Sequence, residues 1–380
     1  GVGPLDEDAA LELARQRLSL TREAAMQVVA AAAGNPLLIE LVGAESGASL
    51  EAAIRSRTDQ LESTWRDAAE LVAVAGHPVD RRVIEAAAGG LDEPPKAWVA
   101  LRAARLVRTH GPAPDGSVEP WHDRIRESLV ASLSPDSLRA RHAALGTALQ
   151  TDARAEPHTI GGHLRLGGEP ELAHGYLLTA AQRAFEALAF DRSADLYRDA
   201  LGCADEADLD PAADQVGLAE ALSAAGRLGE AGEAFERGSE LAEPRFRPTL
   251  MACASQAYVV GGNIEEGRRA LVPILGEHRP AGPLRPILIF AWGLFRTLRL
   301  VHFVHRPADE VAPEVLRQID TLWSVASSMT LFDEQTSTPI FMQHHILALK
   351  TGEPVRATRA QIFSSLQMCS FLPGRAGAIL

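Results

Sequence analysis

Three segments of this 380-residue chain carry one spacing: a small residue, a bulky residue four positions on, and a small or apolar residue three further. They are Ser193, Tyr197, Ala200, then Ala231, Phe235, Gly238, then Gly267, Leu271, Ile274, at steps of 38 and 36 residues. Ala173, Leu177 and Ala180 add an instance in front. Residues spaced by four and three share one side of an α-helix, so each triplet is a seam: the small side chains let a second helix approach and the bulky one fills the gap. A unit recurring at this period cannot bury its apolar face alone, and stacking its copies does. The pattern therefore predicts an α-solenoid of helix pairs over 156–380. Gly167-Gly168, Gly226 and Gly261-Gly262 precede the second helices, where left-handed backbone closes a helix.

The rest of the chain also shows apolar residues at helical spacing, with alternating runs nearly absent. Residues 6–33 read as two helices, the second capped by Thr21. Gly34-Asn35-Pro36 then forces a break, because Gly34 tolerates positive φ and Pro36 drives Asn35 out of the α region. Leu37 to Val42 restarts the helix. Three helical pieces follow between Leu50 and Gly89, with Val79 opening the last, and Trp98 to Leu106 supplies another. Leu106–His110 and Val118–His122 read as strands flanking a turn, so 46–150 is expected to be a winged helix. Helices are expected at Arg124–Ser132 and after Ser134. The whole is mainly α: a winged-helix domain followed by tetratricopeptide-like helix pairs, whose period is roughly 34 residues. Pro273 should kink its helix. Residues 278–313 are the least regular, and a last pair flanks Gly352-Glu353-Pro354. Trp65, Trp98 and Trp121 are expected in the winged-helix core, and Phe290, Trp292, Phe295 and Trp323 in the solenoid core.

Composition narrows the function. Fifty acidic against 37 basic residues give a net charge of -13, which repels polyanions and disfavours nucleic acid as a partner. Arg102, Arg105 and Arg108, three apart, could form a phosphate-binding stripe, but the interleaved Asp115, Glu119, Asp123 and Glu127 favour a solvated or interdomain face. Cys203, Cys253 and Cys369 lie 50 and 116 residues apart, which suits a reducing compartment, so the chain is expected in the cytoplasm. The apolar run Ile287–Phe295 is too short to cross a membrane and reads as a buried helix. The ends, Gly1-Val2-Gly3 and Ala378-Ile379-Leu380, suggest a piece of a longer protein.

No catalytic residue is expected. The sequence has no GxxxxGK[ST] loop to cradle a triphosphate, no kinase HRD or DFG, and no GxSxG serine. None of its 12 histidines has HExxH or i, i+4 ligand spacing, so no metal site is expected; His158, His163, His174, His344 and His345 read as core or turn residues. In His122-Asp123-Arg124, Asp123 is the expected N-cap, a polar contact at the helix start being the other reading.

Three passages carry a resemblance: Ala32-Ala-Gly-Asn-Pro-Leu-Leu-Ile-Glu-Leu41; Leu71-Val-Ala-Val-Ala-Gly76 with Pro120-Trp-His-Asp-Arg-Ile-Arg-Glu127; and Ala187-Leu-Ala-Phe-Asp-Arg-Ser-Ala-Asp-Leu-Tyr-Arg-Asp-Ala-Leu201. Together they resemble the predicted-ATPase portion of STAND proteins (signal-transduction ATPases with numerous domains), especially those joined to bacterial Ser/Thr protein kinases. The resemblance implies the C-terminal end of the ATPase helical lid at 1–45, the winged helix at 46–150 and a partner-sensing solenoid at 156–380. It also implies that Gly34, Asn35 and Pro36 approach a nucleotide, ATP or ADP with Mg, held in the parent protein and not tightly by this segment alone. A protein partner would bind the repeats, with self-association on activation and no membrane contact. A winged-helix transcription regulator with an effector-binding repeat domain, or a freestanding repeat scaffold, are the alternatives.

Overall fold

The computed structural model describes residues 5–18, 21–43, 49–112, 116–275, 295, 304–330 and 334–371. They form two compact units, Gly1–Leu177 and Leu178–Leu380.

The first unit opens with α1 (Glu7–Leu18) and α2 (Arg22–Ala32), and Thr21 caps α2 by accepting from the Ala24 N–H. Next come α3 (Pro36–Gly43) and α4 (Leu50–Asp59). Ala10, Ala14, Ala25, Val28, Leu38, Ile39 and Val42 are buried, a core of small side chains that lets short helices lie close. Then follow α5 (Ser63–Ala75), β1 (Val79–Asp80), α6 (Arg81–Ala87), α7 (Pro94–Ala103), β2 (Val107–His110) and β3 (Ser117–Pro120). The strands make one antiparallel sheet in the order β1-β3-β2, with Val118 opposite both Val79 and Thr109. The three strands lie among α5, α6 and α7 in the chain, where the sequence leads one to expect a winged helix. Its centre is α5, where Ala68, Ala69 and all of Leu71 to Ala75 are buried.

Local signals misplace three features here. Val79 does not open a helix: it pairs with Val118 as a two-residue strand, too short to show alternation, and Asp80 caps α6 by accepting from the Arg82 N–H. The arginine stripe does not form either. Helix α7 ends at Ala103, Arg105 turns into the left-handed region at φ 56°, and Arg108 lies on β2, so the spacing of three spans three kinds of backbone. Of the three tryptophans only Trp98 is buried, its indole N–H donating to Glu85 at 2.9 Å; Trp65 and Trp121 are half-buried.

Helices α8 (Asp123–Ser132), α9 (Pro135–Leu149) and α10 (Pro157–Gly167) complete the unit. Ser134 caps α9 by accepting from the Ser137 N–H. The α9–α10 seam has no slack: a Cβ on Gly146 would lie 2.8 Å from Leu164 Cδ2, and one on Gly167 would lie 2.6 Å from the Ala143 backbone. Helix α11 (Pro170–Glu186) runs across the division between the units.

The second unit contains α12 (Phe190–Glu206), α13 (Ala212–Ala224), α14 (Leu228–Leu241), α15 (Arg247–Val260), α16 (Ile264–Leu275), α17 (Pro313–Met329), α18 (Glu334–Thr351) and α19 (Pro354–Phe371). The triplets are its seams. Ser193, Ala200, Ala231, Phe235, Gly238, Gly267 and Leu271 are buried, and Tyr197 is half-buried. The bulky residues enter glycine notches: a Cβ on Gly217 would be 2.5 Å from the Tyr197 ring, and one on Gly232 would be 2.6 Å from the Tyr258 ring. Gly226, Gly262 and Gly352 take positive φ at the turns between paired helices. Helix α16 continues past Pro273 to Leu275. Trp323 packs edge-on against Phe341 and Phe363 in the core, whereas Phe295 is exposed. Phe290, Trp292, the side chain of Ile274 and most of 278–303 lie outside the described residues.

Candidate functional site

The joint between α2 and α3 assembles from backbone geometry. Ala33 and Gly34 both adopt left-handed φ, 46° and 70°, and their N–H groups return to Ala30 and Val29 carbonyls, which closes α2. The Leu5 N–H donates to the Gly34 carbonyl at 2.9 Å, and Pro36 supplies the first residue of α3. Asn35 lies between them, its Oδ1 facing the Leu38 N–H at 3.4 Å. Gly34 is buried, and Asn35 and Pro36 are half-buried.

The start of α8 reaches this joint through His122. Its ring, not the Asp123 carboxylate, caps α8: Nδ1 accepts from the Arg124 N–H at 3.2 Å, and Nε2 lies 3.0 Å from Asn35 Nδ2. Asp123 begins the helix proper, where its charge suits the N-terminal end of the dipole. With Nδ1 accepting, the neutral ring carries its hydrogen on Nε2, so Asn35 completes the contact by turning its carboxamide oxygen toward Nε2 to accept it, in place of the long contact with the Leu38 N–H. The imidazole thus bridges two parts of the chain 87 residues apart.

Three further contacts fasten the same surfaces. Glu40 of α3 pairs with Arg105 at 2.8 Å, and Arg57 of α4 donates to the Ala104 carbonyl at 3.1 Å. The Glu51 carboxyl is held below the usual range by its own backbone N–H, by Ser49 and, more weakly, by the Arg124 charge. Arg105 adopts left-handed backbone while making its ion pair, a cost of about 1 kcal/mol that the local sequence alone would not favour.

Elsewhere the described residues present two sizeable cavities. One, of about 530 Å3, is lined by His77, Asp80, Asp152, Arg154 and His158 among others, and Arg154 pairs there with the buried Asp80. The other, of about 550 Å3, lies between α17 and α19, with Trp323 and Phe363 beneath exposed Val355 and Ile362. Arg359 stacks 4.9 Å above Trp323 and pairs with Asp320 at 2.6 Å. Among the described residues no group of three or more His, Cys, Asp or Glu is placed to hold a metal ion, and no helix is long and apolar enough to cross a membrane.

Of the residues singled out in the sequence, Gly34, Asn35 and Pro36 come together as one turn, and the structure adds His122, Glu40 and Arg105. The sequence placed the cap on Asp123, and the structure moves it to His122; nothing local shows that the ring would also meet Asn35. No family model and no curated protein matches the sequence. A solved structure similar to this chain is that of a STAND protein with a tetratricopeptide repeat sensor from Pyrococcus horikoshii, at a TM-score of 0.44 and 13% identity, covering 98% of this chain and 55% of that one. This chain thus spans about half the length of that protein.

Proposed function

We propose that this chain is the regulatory and sensor segment of a STAND-type signalling ATPase belonging to a bacterial Ser/Thr protein kinase. In this reading the helix pairs bind a protein partner, and the winged helix relays that event to a nucleotide switch upstream. Gly34, Asn35 and Pro36 stand at the nucleotide's edge, and ATP or ADP with Mg is held in the parent protein by residues outside this chain. The parent works in the cytoplasm, and partner binding promotes its self-association.

The observation that carries the reading is the Asn35–His122 contact. It joins the turn proposed to approach the nucleotide to the N-cap of α8, which in this reading lets a change at one bias the other. Coupling between sites requires an element both can bias, and we take a polar contact between two segments distant in the chain as such an element. Its energy is modest, about 1 kcal/mol for a neutral hydrogen bond, which suits a contact that is exchanged rather than fixed.

Two experiments test this. Sequencing upstream of the Gly1 codon should reveal an in-frame GxxxxGK[ST] loop and, further upstream, kinase motifs; a start codon within a few residues refutes the kinase and ATPase assignment. Calorimetry on this chain should detect no tight ATP binding. In the parent, Asn35→Ala should alter ADP affinity, and an unchanged affinity removes the role given to the turn.

A further inference from the structure

The α9–α10 seam contains an imidazole pair. His142 Nδ1 and His163 Nδ1 lie 2.9 Å apart, with ring centroids at 5.1 Å, and His77 stands edge-on to His163 at 6.5 Å. His163 is only 7% exposed, and His142 is half-buried. Two nitrogens at that distance share one hydrogen: one ring donates and the other accepts. A first added proton leaves this bond intact, because it settles on an outer nitrogen. A second sets N–H against N–H between two positive rings, and the bond becomes a repulsion.

No counter-charge is at hand to absorb it. On α5, Asp67 and Glu70 are engaged by Arg141, while Arg66 bonds the Thr58 and Asp59 carbonyls. On β1 and α6, Asp80 is taken by Arg82 and Arg154, Glu85 accepts from Trp98, and Arg81 reaches Gly111. The remaining titratable and charged groups are Asp136 and Arg139 on α9, His158 and Arg165 on α10, and Glu171, His174, Tyr176, Arg183 and Glu186 on α11. Burial is the main cause that opposes protonation of His163, and the charges of His142 and His77 oppose it further. At Gly146 and Gly167 the two helices are already at close approach, so the repulsion acts to part them.

We propose that the His142–His163 pair is an acid-operated catch: with one shared hydrogen it fastens α10 to α9, and double protonation releases the seam. This is a property of the first unit and does not depend on the nucleotide reading.

Hydrogen–deuterium exchange on the whole chain tests it, with rates corrected for the chemical effect of pH and with α13 and α14, which contain no histidine, as the internal reference. His163 is held down to about 4 against an ordinary 6.5, so between about pH 7 and about pH 4.5 seam opening should rise by roughly tens of fold relative to the reference. In the double variant His142→Gln, His163→Gln, which keeps a donor and an acceptor but cannot charge, that rise should vanish. Parallel loosening of α10 and the reference in the unmodified chain overturns the proposal, as does an unchanged rise in the double variant. Should the variant not fold, the comparison of the two helix pairs in the unmodified chain decides alone.

Discussion

Gly232→Ala tests the notch reading because two ordinary rules predict opposite signs. Helix propensity favours alanine inside α14 by about 1 kcal/mol. The notch opposes it: the new Cβ would lie 2.6, 2.7 and 2.7 Å from three Tyr258 ring carbons, where ordinary contact begins at 3.4 Å. The ring must yield by nearly an ångström, yet Tyr258 is 4% exposed and its hydroxyl donates to Glu236 at 3.1 Å. Burial and the Glu236 carboxylate push the phenol's pKa up, so it remains a donor at any ordinary pH. Overpacking costs about 1–3 kcal/mol, and loss of the hydroxyl bond about 1 more. The balance is a net destabilisation of about 1–3 kcal/mol, read as a lower urea midpoint in circular dichroism at unchanged slope. Combined with Tyr258→Leu, the same alanine should cost little, giving a coupling of about 1–3 kcal/mol in the double-mutant cycle. A Gly232→Ala chain as stable as the parent, or more so, would falsify the close approach.

Other consequences follow from single contacts. Asn35→Ala should lower stability by about 1 kcal/mol and raise exchange at the start of α8, where His122 loses its partner; unchanged exchange there argues against the bridge. Trp98→Phe keeps the buried ring but strands Glu85, and should cost about 1–3 kcal/mol by urea unfolding, most of it recovered by adding Glu85→Leu. His344 is buried, its Nε2 has no partner, and burial, then the Arg359 charge, hold it down to about 4. The unfolded chain therefore takes up the proton first: stability is full above an ordinary 6.5 and falls as pH drops toward about 4, by up to about 3 kcal/mol. His344→Phe should flatten that part of the pH profile of urea midpoints, and an unaltered slope would place the acid sensitivity elsewhere.

The solenoid was the most legible part of the sequence because its information is periodic. Most of the triplet residues are buried, with Tyr197 half-buried, and each expected glycine turn has one glycine in the left-handed region, Gly168, Gly226 and Gly262, whereas Gly167 and Gly261 stay helical. Caps at Thr21 and Ser134 were equally readable, since a cap is decided within four residues. What escaped was decided by partners distant in the chain. Val79 becomes a strand because Val118 is there to pair with it, and His122 displaces Asp123 as the cap while also reaching Asn35. The arginine spacing promised one face only on the assumption of one helix, and Arg105 ends that helix in a backbone state its own side chain does not favour. The Gly34 turn was visible as a turn, whereas its attachment to the winged helix was not.

The two tyrosine notches bear on how such an array can change by duplication or loss. Tyr197 points forward from α12 into α13, whereas Tyr258 points back from α15 into α14, so the middle pair is gripped by an aromatic ring from each neighbour. Excising that pair would bring α12 against α15, which has no glycine to receive Tyr197. These repeats are therefore not interchangeable modules. Their number is locked by side chains that fit one neighbour each, and lengthening or shortening the array requires matched substitutions on both sides of the cut.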